Sequence, residues 1–450
     1  MRTNLQTKTG IKTKMATLLS FAVSISFAQQ VTTLAGSGTS GSTNGSGAGA
    51  SFSSPFGVAI DEGGALYIAD AANNEIRKID VITGEVSTLA GSVMAGSADG
   101  AGTSASFNAP SGITTDDNGN LYVADKLNNE IRKVVISTGE VSTIAGSTTP
   151  GSADGKIAGA SFYNPCGLAY DGSGNLYVSD ALNHEIRKIV ITTGVVSTIA
   201  GSTTSGFSNG IGSAARFNTP IGLAIDGSGN LYIADMGNNE IRKIALASGM
   251  VTTIAGCTSW GSADGIGTLA KFNAPYGVTV DGSGNLFVAD YDNNEIRKIV
   301  IASGLVSTIA GSTKSGSANG MGNGASFKGV AGIITDGNGN LYITDMGNHE
   351  IRKIATLFTE VNNIKESNSL SVYPNPAKQV IHLDFVGGSG STPMVINIID
   401  MSGKEVMSNK EVVLNDKTTS IDITNLTHGM YFVQVVMIDN STQIEKFIKE

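Results

Sequence analysis

The sequence predicts an all-β protein: a closed ring of six four-stranded blades, followed by a small β-sandwich. Six in-phase copies of one sequence unit, 55 residues apart, predict the ring. The last copy lacks its fourth strand, and the missing strand stands near the start of the chain as VTTLAG (31–36). We therefore expect the N-terminal strand to complete the last blade, which closes the ring and removes an exposed sheet edge.

The phase of the repeat is set by an aspartate that follows Ala, Ser or Thr. It recurs at Asp70, Asp125, Asp180, Asp235, Asp290 and Asp345. In the copy over 218–256, four β-rich runs are separated by turns in which glycine supplies positive φ. Four antiparallel strands per unit are typical of a β-propeller blade, so residues 29–357 are predicted to form a six-bladed β-propeller.

The repeat also resembles a known family. The runs DALNHEIRKI (180–189) and DMGNHEIRKI (345–354), each after Gly-Asn-Leu-Tyr, are similar to NHL repeats. The resemblance covers roughly residues 31–355, and NHL domains form six-bladed propellers. It therefore implies the same blade count as the repeat.

Residues 1–28 are predicted to be a secretory signal peptide. Arg2, Lys8, Lys12 and Lys14 precede an apolar stretch from Met15 to Ala28. That stretch ends in Ser26-Phe27-Ala28, where small residues allow a cut before Gln29.

The tail has no 55-residue phase. After a polar linker (358–369), residues 370–450 carry Tyr373-Pro374-Asn375-Pro376 and later Gly-Met-Tyr-Phe-Val. These blocks resemble the type A C-terminal sorting domain of the type IX secretion system of Bacteroidetes. The resemblance implies a small β-sandwich, the secretion machinery as a partner, and a secreted or outer-surface location.

Charge and hydropathy exclude several partner classes. A formal net charge of −9 argues against nucleic acid, which needs a basic face to displace phosphate counterions. No apolar run of about 20 residues follows the signal peptide, so no integral membrane segment is expected.

Polar residues that recur in every blade are interpreted as framework. The repeated aspartate and an arginine, Asp235 and Arg242 in the fourth copy, are expected to form a buried pair. Asn or Asp in the inter-blade loops is expected to form an Asx turn. A calcium site is left open at the Asp-Gly-Ser-Gly-Asn turns, although each turn offers few of the oxygen ligands that calcium needs. These turns stand at Asp171, Asp226 and Asp281, with variants at Asp61, Asp116 and Asp336. No other cofactor is expected.

A catalytic centre is not predicted. His184 and His349 lie three blades apart, and asparagine takes their place in the other four copies. Cys166 and Cys257 are expected to be unpaired. A metal-dependent hydrolase or lyase like the lactonase propellers stays an alternative, as does a structural adhesion component, because fold alone does not fix function.

The predicted ligand-binding residues are those at which the copies disagree. They occupy phases near the ring axis or in the inter-blade loops, and they are Phe56, Lys126, Met236, Trp260, Tyr276 and Tyr291. A mixed aromatic and polar patch of this kind is typical of a binding surface for a glycan or a protein. Neutral drift of loop positions explains the variation equally well.

Overall fold

The computed structural model describes residues 28–116, 118–357, 369–386, 393–400, 405–413, 418–436 and 442–450. The predicted signal peptide, apart from Ala28, and the predicted linker, apart from Ser369, lie outside the described residues. The described chain divides into two compact units, one on each side of that linker.

The first unit contains six antiparallel sheets that are numbered here as blades 1 to 6 in chain order. The inner strands are Pro55–Ile60, Pro110–Thr115, Pro165–Tyr170, Pro220–Ile225, Pro275–Val280 and Val330–Thr335. The second strands are Leu66–Asp70, Asn120–Asp125, Asn175–Asp180, Asn230–Asp235, Asn285–Asp290 and Leu341–Asp345. The third strands are Glu75–Ile79, Glu130–Val135, Glu185–Val190, Glu240–Ala245, Glu295–Val300 and Glu350–Leu357. The fourth strands are Glu85–Gly91, Glu140–Gly146, Val195–Gly201, Met250–Gly256, Leu305–Gly311 and, for blade 6, Ala28–Ala35.

The predicted closure of the ring is confirmed. Ala28–Ala35 pairs with Glu350–Leu357, with Val31 opposite Ile354. The inner strand of blade 6 also contacts the inner strand of blade 1, as neighbouring inner strands do all around the ring. The chain is a six-bladed β-propeller whose last blade takes its fourth strand from the N-terminus.

Each blade has a fifth strand that the sequence did not reveal. It pairs with the beginning of the fourth strand, and its members are Gly45–Ser46, Gly100–Ala101, Gly155–Lys156, Gly210–Ile211, Gly265–Ile266 and Gly320–Met321. Two residues are too few for a period-2 pattern to show.

Short 3-10 helices occupy two places in each blade. Those after the second strands are Ala71–Asn73, Lys126–Asn128, Ala181–Asn183, Met236–Asn238, Tyr291–Asn293 and Met346–Asn348. Those before the inner strands are Gly47–Gly49, Gly102–Ser104, Ile157–Gly159, Gly212–Ala214, Gly267–Leu269 and Gly322–Gly324. We call the end of the ring with the first set and the two ends of each inter-blade loop the upper face, and the end with the hairpin turns, which the second set contacts, the lower face.

One glycine in each inner strand allows the blades to meet at the axis. A Cβ on Gly112 would stand 2.0 Å from the Cys166 carbonyl oxygen of the next blade, and one on Gly332 would stand 2.4 Å from that of Phe56. The other four inner-strand glycines face the same obstruction, at Gly57, Gly167, Gly222 and Gly277. Only glycine fits at this crowded approach.

Each blade contains a buried ion pair between the aspartate that ends its second strand and an arginine of its third strand. In blade 4, Arg242 Nη1 lies 2.7 Å from Asp235 Oδ2, and neither side chain is exposed. Arg242 Nη2 donates to Asn209 Oδ1 at 2.8 Å, and the guanidinium lies 5.3 Å from the centroid of the Phe217 ring. The predicted Asx turn at Asn209 is therefore wrong: the side-chain oxygen accepts a bond from the arginine, as it does in every other blade.

The turns considered for calcium are closed by their own donors. Asp226 Oδ1 accepts the backbone N–H groups of Ser228 and Asn230, and Oδ2 accepts Asn230 Nδ2 and the Tyr232 hydroxyl. A cation would have to displace these donors. Within the described ranges, no group of three or more His, Cys, Asp or Glu side chains is placed to hold a metal ion.

The second unit is a β-sandwich with a three-stranded and a four-stranded sheet. The strands of the first sheet are Ser369–Tyr373, Val380–Val386 and Thr418–Asp422; those of the second are Pro393–Asp400, Glu405–Val413, Gly429–Val436 and Thr442–Lys449. One core joins the two sheets, with Ile381 and Leu383 from the first and Val433 and Phe447 from the second.

The Tyr373-Pro374-Asn375-Pro376 motif is tied to the last strand of the sandwich. Asn375 Nδ2 donates to the Lys446 carbonyl at 3.1 Å, and the Ile448 amide donates to Asn375 Oδ1 at 2.9 Å. The Tyr373 ring lies 5.5 Å from that of His382. No helix among the described residues has the length and hydropathy of a membrane span.

Candidate functional site

Five of the six predicted ligand-binding residues meet at the upper mouth of the ring axis. They are Phe56, Lys126, Met236, Tyr276 and Tyr291, and we call them the axial cluster. Phe56 and Tyr276 occupy the second position of their inner strands. The other three open the 3-10 helices that follow second strands. The fold thus brings together residues from blades 1, 2, 4 and 5.

The aromatic side chains of the axial cluster form one continuous group. The Tyr276 and Tyr291 rings are stacked, with centroids 4.2 Å apart and planes at 16°. Phe56 is tilted against Tyr276 at 5.6 Å between centroids. Lys126 Nζ lies 5.7 Å from the centroid of the Phe56 ring, a cation–π distance.

Three buried side chains from blades 3 and 4 complete the apolar group around the axis. Cys166, Ala181 and Ile221 are packed together, and Phe56, Met236 and Tyr276 lie half-buried against them. Cys166 and Ile221 stand at the same variable phase as Phe56 and Tyr276. Apolar side chains packed around half-exposed aromatic rings are the usual build of a binding surface.

Gly329 makes room for Tyr291. A Cβ on this residue would stand 3.0 Å from Tyr291 Cε2, because the ring lies over the backbone of the loop into blade 6. The other blades carry a side chain here, at Ser54, Ala109, Asn164, Thr219 and Ala274, although all six residues have positive φ. Among the six copies of the repeat, only the sixth has a glycine at this position, and this difference is the sequence signal for Gly329.

The two phenols and the thiol at the site are held neutral. Burial raises the pKa of Tyr276 to about 12 and, with the nearby Asp292 carboxylate, also raises the pKa of Tyr291. Burial likewise raises the pKa of the Cys166 thiol to about 11. At neutral pH the two phenols can donate and accept hydrogen bonds, and the thiol lacks the thiolate character of a nucleophile.

The channel below the axial cluster is narrow. It encloses about 60 Å³ and is lined by the inner strands, including their six glycines. Drug-sized ligands occupy pockets of roughly 300 to 1,000 Å³. The channel is therefore too small to enclose a ligand of that size.

Trp260 does not belong to the axial cluster. It stands in the loop after the fourth strand of blade 4 and is 72 % exposed. Leu127, which follows Lys126 in the variable pair after the blade aspartate, is exposed. Tyr163 and Leu182 are exposed as well, and the sequence did not single them out.

Each of the two propeller histidines forms a hydrogen bond with the next blade. His184 Nδ1 accepts the Thr219 amide at 3.0 Å, and His349 Nδ1 accepts the Ser54 amide at 3.1 Å. In the other blades an asparagine Oδ1 accepts the equivalent amide. Histidine and asparagine alternate at this phase because both present an acceptor in the same place.

Two family models match the chain. An NHL repeat matches residues 107–134, and the secretion system C-terminal sorting domain matches residues 371–450. The chain carries NHL repeats and ends in a secretion sorting domain. This NHL-repeat propeller is therefore exported by a type IX secretion route to the cell surface or beyond it.

Relatives of known sequence resemble the propeller. The human NHL repeat-containing protein 2 is 28% identical over 339 residues, which are 66% of this chain and 46% of that protein. The Arabidopsis thaliana protein SUPPRESSOR OF QUENCHING 1, chloroplastic, is 28% identical over 283 residues, 60% of this chain and 27% of that protein. The NHL-repeat chain thus spans less than half the length of these curated relatives.

Solved structures show the same fold. A Bacteroides thetaiotaomicron protein superposes with a TM-score of 0.57 at 23% identity, covering 73% of this chain and 76% of that one. An auxiliary nutrient binding protein from Bacteroides ovatus superposes with a TM-score of 0.56 at 17% identity, with the same coverage.

Proposed function

We propose that the protein is an exported binding module whose axial cluster is its ligand-binding surface. One observation carries the proposal: phases at which the six copies disagree converge in space. Phe56, Tyr276 and Tyr291 come from two different phases and two blades, yet they form one contiguous aromatic group. The ring brings these phases together around the axis in every blade, and what supports the proposal is that the aromatic side chains at them contact one another.

The positions that are the same in every copy support the proposal, because they have a structural role. The glycine, aspartate and arginine positions that hold the blades together are the same in all six copies. Ligand binding is therefore expected at the positions that differ between the copies. The fold is shared with an auxiliary nutrient binding protein, which is consistent with ligand capture at a cell surface.

The chemistry of the axial cluster favours a glycan or a peptide. Stacked tyrosines offer flat apolar surface with hydroxyl groups at the rim, and Lys126 adds one positive charge. We propose that binding needs no metal or cofactor. The carboxylates of the repeat are already bound by N–H and O–H donors.

A glycan and peptide array probed with the full chain tests the proposal. The informative variant takes its residues from other blades: Phe56→Ala as in Ala331, Tyr276→Ser as in Ser111, and Tyr291→Ala as in Ala71. These side chains already fit the ring. A matched control is Ile82→Ala, which removes an apolar side chain that is 92 % exposed on the lower face.

We expect the wild-type chain and the Ile82→Ala control to give the same specific signals and the triple variant to lose at least one of them. Equal signals from all three proteins would contradict the assignment of the site. A blank array with a chain that self-associates would favour the adhesion alternative.

A further inference from the structure

Blades 4 and 5 differ from the other four at one phase of the upper face. Four blades carry a serine there, whose hydroxyl accepts a backbone N–H of the inter-blade loop at 2.9–3.0 Å; these serines are Ser51, Ser106, Ser161 and Ser326. Blades 4 and 5 carry Arg216 and Lys271 instead. These two blades lack the loop-fixing hydrogen bond of the serine and gain a positively charged side chain, and in blade 4 Arg216 Nη1 donates to the Ser213 and Ala215 carbonyls.

In each of these two blades the stem of the charged side chain lies against a loop glycine that is next to an exposed aromatic residue. A Cβ on Gly206 would stand 3.0 Å from Arg216 Cβ, and the next residue, Phe207, is 64 % exposed. A Cβ on Gly261 would stand 2.9 Å from Lys271 Cδ, and the preceding residue is the exposed Trp260. The corresponding loops of blades 1, 2, 3 and 6 contain no aromatic residue.

The same part of the upper face carries further positive charge. Lys314 and Lys328 are exposed in the segments that lead into blade 6. Asp292 is exposed nearby, whereas Asp264 is paired with Arg297. The aspartates of the hairpin turns lie on the lower face. A chain with a net charge of −9 thus gathers four cations over three adjacent blades.

We propose that this sector, Arg216, Lys271, Lys314 and Lys328 with Phe207 and Trp260, binds an acidic polysaccharide. Sugar rings offer C–H faces that stack on exposed aromatic rings, and carboxylate or sulfate groups form charge-assisted hydrogen bonds with arginine and lysine. Two neighbouring blades that each offer an aromatic residue and a cation match a polymer with a repeating charged unit.

Nucleic acid fits the sector less well. Four cations on a chain of this net charge offer few phosphate contacts, and nucleic-acid binding draws most of its affinity from such contacts. This inference rests on the proposed binding function and adds the ligand class and a second surface on the same face.

The test is binding of the full chain to polygalacturonate and to chondroitin sulfate, with neutral dextran and single-stranded DNA as comparison ligands. The first variant is Arg216→Ser with Lys271→Ser, which installs the residue found in the other four blades. The second is Trp260→Ala. The triple variant of the axial cluster serves as a control for the other surface.

We expect at least one acidic polysaccharide to bind, dextran not to bind, and the serine variant to bind roughly tenfold more weakly. Trp260→Ala should also weaken binding, and the axial variant should not. Raising the salt from about 50 to about 300 mM should weaken the wild-type interaction.

Equal binding by the wild-type chain and the serine variant, or no binding of either polysaccharide, would overturn the inference. If DNA binds more tightly than the polysaccharides, and its binding depends on the same cations, the ligand class is nucleic acid and not acidic polysaccharide. If neither polysaccharide binds but a ligand on the array needs the axial cluster, the proposed function stands while this inference fails.

Discussion

The ring of Tyr291 lies over Gly329, so that a Cβ on the glycine would stand 3.0 Å from Tyr291 Cε2. The two residues belong to neighbouring blades, and the glycine occurs only in the copy that follows the tyrosine. Their relationship links the backbone of the loop into blade 6 to the Tyr276–Tyr291 stack. The geometry of the axial cluster therefore depends on a residue without a side chain.

Gly329→Ala should displace the Tyr291 ring and weaken ligand binding, while costing on the order of 1 kcal/mol of stability. Alanine at this phase is tolerated in other blades, at Ala109 and Ala274, so the ring and not the positive φ causes the effect. Ala274→Gly is the matched control. Binding measurements and denaturant midpoints check both variants. Unchanged ligand binding by Gly329→Ala would show that the site does not depend on this glycine.

Asp235→Asn should destabilise the propeller by about 3–5 kcal/mol, because it removes the carboxylate 2.7 Å from Arg242 Nη1 and leaves only Glu240, 3.5 Å from Nε, to balance the buried guanidinium. Burial raises the pKa of Asp235 only to about 6, so the carboxylate is ionised at neutral pH. Asn209→Asp should be nearly neutral, since aspartate occupies that place in blades 2, 3 and 5. Urea unfolding of both variants measures the difference, and equal midpoints would show that the ion pair does not stabilise the blade.

The stability of the propeller should rise as the pH falls from neutral toward about 5.5, through Glu185 and Glu295. Burial raises the pKa of each carboxyl to about 7, above its unfolded value of 4.5. The folded state therefore binds protons first, and each group adds about 1 kcal/mol over this range. The double variant Glu185→Gln with Glu295→Gln should lose the share of the two glutamates in urea unfolding at the two pH values, whereas carboxyls such as Asp235, whose pKa is also raised by burial, keep the remainder. A gain that is undiminished in the variant would exclude Glu185 and Glu295 as contributors.

His349→Asn should make the protein less sensitive to acid. Burial, aided by Lys328, lowers the pKa of His349 below 6.5, and its Nδ1 must be unprotonated to accept the Ser54 amide. The stabilisation is complete above the unfolded pKa and is lost as the pH falls through the folded one. The reciprocal change, Asn294→His, should introduce the same sensitivity at another blade junction. Thermal unfolding between pH 7 and pH 5 compares the three proteins, and parallel curves would contradict this role.

The sequence was sufficient to predict the fold because a fixed period fixes both the number of blades and the order of strands. The offset of residues 31–36 even predicted how the ring closes. The two-residue fifth strands escaped because a pattern of hydrophobicity needs more residues to appear.

The candidate site was predictable only in part. Disagreement between copies selects Phe56, Tyr276 and Tyr291, but repeat phase does not say which variable side chains touch across the axis. Trp260 shares their variability and yet lies apart from them. The bond from Arg242 to Asn209 was missed because it joins residues 33 positions apart in sequence, whereas an Asx turn is a local motif.

The most direct test of the account is a structure of the full chain with a ligand taken from the array. We predict ligand density on the upper face, in contact with the Tyr291 or Phe56 ring and outside the axial channel. A ligand bound on the lower face or at the outer edges of the blades, with the axial cluster untouched, would contradict the central claim.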